Sequence, residues 1–154
     1  MSARETVSEV LEALATIPDG QPVVMINLVR YRAWAVYPPG TETEPRTGRQ
    51  AWEQYSQHML PIFTKIGARP VFRAEAGVTL IGPNEARWDE VLIVEYPSRD
   101  VIEGMIASPQ YQSAMIHRIA ALEDARLIAC TSPRPIGRLA WWWLKRSSKF
   151  RRQA

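Results

Sequence analysis

The segment VVMINLV, residues 23–29, places the strongest constraint on the fold. Branched aliphatic side chains dominate it, so the segment is predicted to form a β-strand. Successive side chains of a strand point to opposite faces of the sheet, and this run is apolar on both faces. Helices of the same chain can cover one face. We expect a second copy of the chain to cover the other, which predicts a homodimer.

The rest of the chain alternates between helical and strand patterns. A capping box at Thr6 opens an N-terminal helix, and the strand that contains residues 23–29 comes next. After a long loop at 32–48, the patterns predict a helix to residue 66, one long strand over 69–82, a third strand over 88–97, helices capped by Ser98 and Ser108, and a closing strand over 125–131. The order α-β-α-β-β-α-β is that of a ferredoxin-like α+β fold, βαββαβ, with an extra N-terminal helix.

Charge divides the chain into a predicted domain, residues 1–133, and a C-terminal tail, residues 134–154. The domain carries 12 Lys or Arg and 16 Asp or Glu, whereas the tail carries 7 basic residues and no acidic one. An acidic domain gives no reason to expect nucleic-acid binding. The tail includes the run WWWLKR, and tryptophan with basic residues is typical of a peripheral membrane contact. Its three tryptophans point around the whole helical cylinder, which favours docking on the protein body or on a partner.

The expected location is the cytoplasm. The N-terminal residues contain acids and no uninterrupted apolar run, so they do not resemble a secretory signal. Nor does an apolar stretch approach the ~20 residues that would cross a bilayer. The single cysteine, Cys130, cannot form an intramolecular disulfide, which fits a reducing compartment.

The segment from Trp88 to Ala129 contains a tryptophan-led strand that ends in EYPS, followed by SPQYQ, HR and a closing RLIA. With GARPVF and MINLVRY, these motifs resemble the domain-of-unknown-function 1330 family over roughly residues 22–132. The resemblance implies the dimeric α/β-barrel superfamily, in which two ferredoxin-like subunits pair their sheets. Neighbouring families there include cofactor-free monooxygenases, muconolactone isomerases and haem-degrading enzymes. The family has no established activity, so the resemblance implies a fold and no chemistry.

Arg118 is the strongest candidate functional residue. Ser108 and Pro109 set the start of its helix, and at 100° per residue Arg118 then falls about 20° from Tyr111, inside the apolar stripe. A guanidinium keeps its proton, so in a buried position it needs an anion or several acceptors. It could bind the carboxylate or enolate of a ligand, pair with Glu90 or Glu95, or extend to solvent at the helix edge.

The two histidines are weaker candidates. His58 lies at the edge of the apolar stripe of its helix, where it could act as a general base or bond a backbone carbonyl. His117 is predicted to point away from Arg118, toward the surface or an interface. Two histidines and one cysteine with no spaced pair do not make a zinc site, so we expect no metal. Haem needs one axial histidine only, so it stays open as an alternative to having no cofactor.

A mostly apolar pocket with a few polar groups is predicted around Arg118. Asn27, Tyr55, Trp88 and Tyr111 are the predicted substrate-binding residues, and Arg118 and His58 are the predicted catalytic residues. The amide of Asn27 needs hydrogen-bond partners if it is buried, in the protein or in a ligand. The expected function is binding of a small apolar molecule with a carboxylate or carbonyl group, by a cofactor-independent isomerase or monooxygenase if the protein is catalytic. The alternative is a non-catalytic interaction protein that uses its tail.

Overall fold

A computed structural model of the chain describes residues 7–41, 44–83 and 86–131. The elements are α1 (Val7–Ala15), β1 (Val23–Tyr31), α2 (Gly48–Ile66), β2 (Arg69–Glu75), β3 (Glu90–Tyr96), α3 (Arg99–Ile106), α4 (Pro109–Ala121) and β4 (Leu122–Thr131). The predicted tail, residues 134–154, lies outside the described residues. The described part contains no helix that is long and apolar enough to span a membrane.

The four strands form one antiparallel sheet in the order β2-β3-β1-β4. The first predicted strand, β1, is central, with Asn27 opposite Leu92 of β3 and Leu127 of β4. This order, with α2 and the α3–α4 pair as the two crossovers, is the ferredoxin-like arrangement that the pattern predicted. The N-terminal helix α1 is present in addition and packs against α3.

Local capping chemistry fixes the helix starts that position the site. Thr47 and Gln50 form a complete capping box at the start of α2. The side chain of Ser108 caps α4, and Pro109 occupies the first turn, where its missing N–H costs nothing. At the other end of α2, Gly67 adopts the left-handed conformation with φ 72°, which glycine tolerates best.

Two predicted boundaries are wrong. The second strand ends at Glu75 rather than continuing to residue 82, because its only neighbour, β3, begins at Glu90 directly opposite Glu75. Beyond that point there is no strand to pair with, and Leu80 and Ile81 are almost fully exposed. The last strand starts at Leu122, three residues before the predicted start at residue 125. Helix α4 therefore ends one residue before Leu122.

The two faces of the sheet are covered unequally. On the face that meets the helices, Val23, Met25 and Val29 of β1 are buried in the core with α2, α3 and α4. The opposite face, which we call the open face, carries the alternate residues. Half-buried aliphatic side chains of β1 and β3 lie there, flanked by Phe72 and Ile128, each 50% exposed. The described chain therefore leaves the open face partly uncovered. That a second copy of the chain covers it stays a prediction.

Candidate functional site

Trp52 lies at the centre of the helix-covered side. Its side chain projects from α2 toward the sheet and is 1% exposed. The ring of Tyr55, one turn later, lies 5.1 Å from the Trp52 ring, and that of Tyr31 on β1 lies 6.3 Å away. The indole Nε1–H donates a hydrogen bond of 2.8 Å to Oε1 of Glu90. Trp52 is therefore fixed at its edge and leaves one face of its ring available to a cation.

Glu90 is the one buried charged side chain in the described part of the chain, at 6% exposure. Besides the indole, it accepts from Nε of Arg73 at 2.9 Å, and Arg73 also binds Glu53 at 2.6 Å. These two carboxylates raise the pKa of Arg73 and keep it charged. The other predicted partner of Arg118, Glu95, pairs with Arg69 at 2.9 Å instead. Both glutamates are thus engaged by other arginines.

Arg118 faces inward, as the helical period predicted, but it meets no carboxylate. Its guanidinium carbon lies 5.7 Å from the centroid of the Trp52 ring, in cation–π geometry. Within residues 7–41, 44–83 and 86–131, the guanidinium has neither an ion pair nor a hydrogen bond. The predicted internal pair with Glu90 or Glu95 is therefore wrong for this structure. Arg118 is a half-buried cation held by an aromatic face alone.

Three tyrosines share the electrostatic environment of Arg118. Burial raises the pKa of Tyr55, Tyr96 and Tyr111, and the positive charge of Arg118 partly opposes this rise in each. All three hydroxyls stay protonated at neutral pH and can donate hydrogen bonds. No hydroxyl of the three has a hydrogen-bond partner among the residues that the structure describes. The cluster is rich in donors and carries a net positive charge.

Tyr96 was not among the predicted site residues. It lies at the end of β3, opposite Val23, on the helix-covered face. The period of two along β3 puts it on the same face as Glu90, so the alternation could have identified it. What the sequence did not show is which tyrosines the two helices bring to that end of the sheet.

Asn27 lies on the helix-covered face between Met25 and Val29. Its Nδ2 donates to the carbonyl of Leu92 on β3 at 3.3 Å, so part of its amide is satisfied by the protein.

Trp88 lies away from Asn27 and Arg118. Its ring stacks under the guanidinium of Arg126, 5.5 Å away, and Arg126 belongs to the open face of β4. The structure thus brings Tyr55, Tyr111 and Arg118 together and separates Trp88 from them.

The two histidines lie on the outer side of the α2–α4 pair. The rings of His58 and His117 are 5.1 Å apart and tilted by 30°. Nδ1 of His58 hydrogen-bonds the carbonyl of Gln54 in its own helix at 2.7 Å, which is the backbone bond that the sequence left open. His117 is half-buried rather than free at the surface, since its Nδ1 bonds the hydroxyl of Tyr37 at 2.9 Å. Burial, then His58 and Arg46, lower the pKa of His117.

The long loop after β1 reaches this outer side. Its backbone is tied to the end of α4, with Arg32 N–H donating to Ala121 and Val36 N–H to Ala120. Tyr37 then extends to His117. His58 and His117 therefore form a contact that holds the loop, and the predicted catalytic pair of His58 and Arg118 lies on different sides of the helix layer. Within the described ranges, no three His, Cys, Asp or Glu side chains come together as a metal site.

Comparison with known proteins gives a family and a fold. The family model described as "Domain of unknown function (DUF1330)" matches residues 45–131. Two crystal structures of a Rhodopseudomonas palustris protein of unknown function, one in methylated form, are each 36% identical to this chain. They cover 85% of it and 95% and 97% of their own chains, with TM-scores of 0.76 for the methylated form and 0.75 for the other.

A dimeric Bacteroides fragilis protein of unknown function with a ferredoxin-like fold is 15% identical, with a TM-score of 0.47. It covers 72% of this chain and 96% of its own. A search of curated proteins finds no match. The family match over more than half of the chain agrees with the motifs in the sequence and with the strand order. The chain therefore belongs to the DUF1330 family of ferredoxin-like α+β proteins.

Proposed function

We propose that this protein binds a small, largely apolar molecule whose carboxylate or carbonyl oxygen is held by Arg118. The observation that carries the proposal is the half-buried guanidinium of Arg118, which lies over Trp52 without a carboxylate or a hydrogen bond among the described residues. A guanidinium cannot lose its proton, so an anionic or strongly accepting ligand is the missing partner. The ligand takes the place of a carboxylate partner, because Glu90 is held by Arg73 and Trp52 and Glu95 lies on the open face with Arg69.

The surroundings of Arg118 support the same ligand class. The hydroxyls of Tyr55, Tyr96 and Tyr111 are donors, and burial raises their pKa so that they stay neutral. Neutral donors within the electrostatic reach of one cation suit an oxygen that carries full or partial negative charge. The rings of Trp52 and Tyr55 supply the apolar part of the site. A mostly apolar site with a few converging polar groups is the usual composition of a small-molecule pocket.

The same groups suit catalysis without a cofactor. Cofactor-independent isomerisation moves a proton between two carbons of an enolisable ligand, and oxygenation adds O2 to the corresponding enolate. In both reactions Arg118 would stabilise negative charge on the enolate oxygen. His58 remains the predicted proton acceptor. Its exposed position beside His117 means that this role requires a ligand extending to the outer side of α2.

We further propose that the protein is a homodimer that works in the cytoplasm. A second copy on the open face would cover the half-buried aliphatic side chains of β1 and β3, with Phe72 and Ile128. The free thiol of Cys130 supports a reducing compartment. The test of the dimer is analytical ultracentrifugation of Ile128→Asp, which we expect to be monomeric. Ile119→Asp, an exposed position on α4, is the matched control and should remain dimeric.

The ligand proposal is tested with Arg118→Met and the control Arg126→Met. Both arginines lie over tryptophan rings, at 5.7 and 5.5 Å, but Arg126 has Asp124 as a carboxylate partner. The probes are small aromatic and aliphatic carboxylates, each with its matched primary amide, measured by ligand-observed NMR. We expect carboxylates to bind the wild type and Arg126→Met, and to bind Arg118→Met at least about tenfold more weakly. Equal binding to folded Arg118→Met would contradict the proposal.

A further inference from the structure

A second concave surface lies on the outside of the helix layer, separate from the Arg118 cluster. It is a groove of about 1100 Å³ between the C-terminal half of α2 and the corner where α3 meets α4. We call it the outer groove. Its lining is mainly apolar and includes Pro61, Ile62, Ile66, Val101, Met105 and Pro109. A contiguous apolar groove of this size on a protein surface marks an interaction site.

We propose that the outer groove binds the chain's own tail, residues 134–154, through its tryptophans. The tail contains Trp141, Trp142 and Trp143, followed by Leu144. The proposed ligand site at Arg118 does not involve this apolar run. Tryptophan buries more apolar surface than any other side chain, and a groove lined by proline, isoleucine and methionine suits an indole ring. The proposal goes beyond the proposed function and does not depend on Arg118. His58 also lines the outer groove, so a tail docked there and a ligand that reaches His58 exclude each other.

The position at which the chain leaves the described fold supports this occupant. Thr131, the last described residue, pairs with Val23, which also pairs with Tyr96. Helix α3 begins three residues after Tyr96, and α2 ends just before Arg69, whose partner is Glu95. The last turn of α2, the first turn of α3 and the exit of β4 therefore share one end of the sheet. The outer groove opens at that end.

The length of the tail fits as well. Trp141 is ten residue steps beyond Thr131, and an extended chain of ten steps spans at most about 33–36 Å. Strands lie about 4.8 Å apart, so the chain crosses from the edge strand to the helices with length to spare. The charge of the groove adds no support, because Asp100 and Glu103 on α3 both pair with Arg99 and the lining itself contains Lys65 and His58. The length of the tail and the place where β4 ends are therefore what support this occupant.

Gly104 allows the groove to be blocked without disturbing the core. It lines the groove, is exposed, and a Cβ added there would meet no atom within 4 Å. Gly104→Arg therefore adds bulk and a positive charge that repels the tail, while an arginine in place of glycine favours the helix. Gly77→Arg is the matched control, since Gly77 is equally open and lies in the loop after β2.

The readout is chymotryptic cleavage of the tail in the full-length chain, followed by intact-mass spectrometry. Chymotrypsin cuts after Trp, Leu and Phe, so neither variant gains a cleavage site, and a docked tail is protected in proportion to the time it spends docked. We expect cleavage within residues 141–150 to be about tenfold faster in Gly104→Arg than in the wild type, with Gly77→Arg unchanged. Equal cleavage rates in all three proteins would overturn the proposal.

A second measurement distinguishes docking from membrane binding. Vesicles of phosphatidylcholine and phosphatidylglycerol in a ratio of about 3:1 carry the negative charge that a basic, tryptophan-rich segment binds. With the tail held in the groove, we expect the wild type to stay in the supernatant and Gly104→Arg to pellet with the vesicles. Wild-type protein that pellets as fully as Gly104→Arg would show that the tail is free for the membrane, and would overturn the proposal.

Discussion

The inner and outer sides of the α2–α4 pair differ in how their charged and titratable groups are satisfied. On the outer side, His117 bonds the hydroxyl of Tyr37 and stacks on His58, whose own Nδ1 bonds a backbone carbonyl. On the inner side, its neighbour Arg118 lies over Trp52 with no anion or acceptor among the described residues. His117 and Arg118, consecutive residues of α4, thus differ in their partners. His117, which can take up or release a proton, has a hydrogen-bond partner, whereas Arg118, which keeps its proton, has none among the described residues.

The difference is the basis for proposing a ligand on the inner side and none on the outer side. A hydrogen-bonded histidine that holds a loop needs nothing further. The guanidinium of Arg118 is half-buried and has no anion among the described residues, and the indole face of Trp52 stabilises its positive charge in part. Glu90, bound to the edge of the same indole, holds that ring in place.

Replacing Glu90 should have the largest effect on stability. Glu90→Ala leaves the buried indole N–H of Trp52 without an acceptor and removes one of the two carboxylates of Arg73. We expect the free energy of unfolding to fall by about 3 kcal/mol in urea titrations. The control is Glu95→Ala, which breaks the exposed pair with Arg69 and should cost less than about 1 kcal/mol. A loss for Glu90→Ala as small as that of the control would contradict the buried network.

The three tyrosines around Arg118 should make the fold sensitive to alkaline pH. Burial raises the pKa of Tyr55, Tyr96 and Tyr111 above the value of 10.0 that applies to the unfolded chain. As pH rises past 10 the unfolded state loses these protons first, so stability is complete below about pH 10 and falls above it. Each tyrosine contributes about 1.4 kcal/mol per pH unit.

The measurement for the alkaline effect is urea unfolding between about pH 8 and 11.5, compared in the wild type and Tyr55→Phe. The free energy of unfolding of Tyr55→Phe should fall less steeply with pH, because the variant has one buried hydroxyl fewer. Identical slopes for the two proteins would mean that Tyr55 ionises as easily in the folded chain as in the unfolded one, against the burial described here.

Arg118→Met should change stability little, in contrast to Arg73→Met. No ion pair is broken at Arg118, so the loss is limited to a cation–π contact that methionine partly replaces, at most about 1 kcal/mol. Arg73→Met uncovers buried Glu90 and should cost about 3 kcal/mol. Thermal unfolding of both variants at pH 7 makes the comparison. If the two variants lost equal stability, Arg118 would have a structural role that the contacts do not show.

The outer side should respond weakly to acid. Burial, His58 and Arg46 lower the pKa of His117 below 6.5 in the folded chain. The contribution of neutral His117 to the free energy of unfolding is therefore complete above about pH 6.5. It is lost as pH falls below that value, because the unfolded chain takes up the proton more readily than the folded one. In His58→Gln, the pKa of His117 should rise, because the substitution removes the neighbouring imidazole that lowers it. Titration of the His117 ring protons by NMR measures this; a fall in the pKa would contradict the effect assigned to His58.

Features encoded locally could be predicted from the sequence. The caps at Thr47 and Ser108 depend on residues three positions apart, and the inward direction of Arg118 depends on the period of its own helix. The order of the elements then determined the ferredoxin-like arrangement, because few topologies join these elements with short connections. The match to the DUF1330 family agrees with the motifs that pointed to it.

Features that depend on contacts between distant segments could not be predicted from the sequence. The length of β2 depends on where β3 begins, and the partner of Glu90 depends on Arg73 and Trp52, which lie 17 and 38 residues away in the chain. Trp88 was grouped with Arg118 by composition alone, whereas its ring lies with Arg126 on the open face. Composition can name the members of a pocket, but only the packing of the helices on the sheet determines which of them meet.

We propose that the guanidinium of Arg118 binds the carboxylate of a ligand, whereas that of Arg73 is already bound by Glu90 and Glu53. The most direct test is the Nε–H NMR signal of each arginine, assigned with Arg118→Met and Arg73→Met, during titration with the best carboxylate from the probe set. We predict that the Arg118 signal moves with saturation while the Arg73 signal, held by Glu90 and Glu53, stays in place. An unmoved Arg118 signal at saturating carboxylate, or equal shifts at both arginines, would contradict the account.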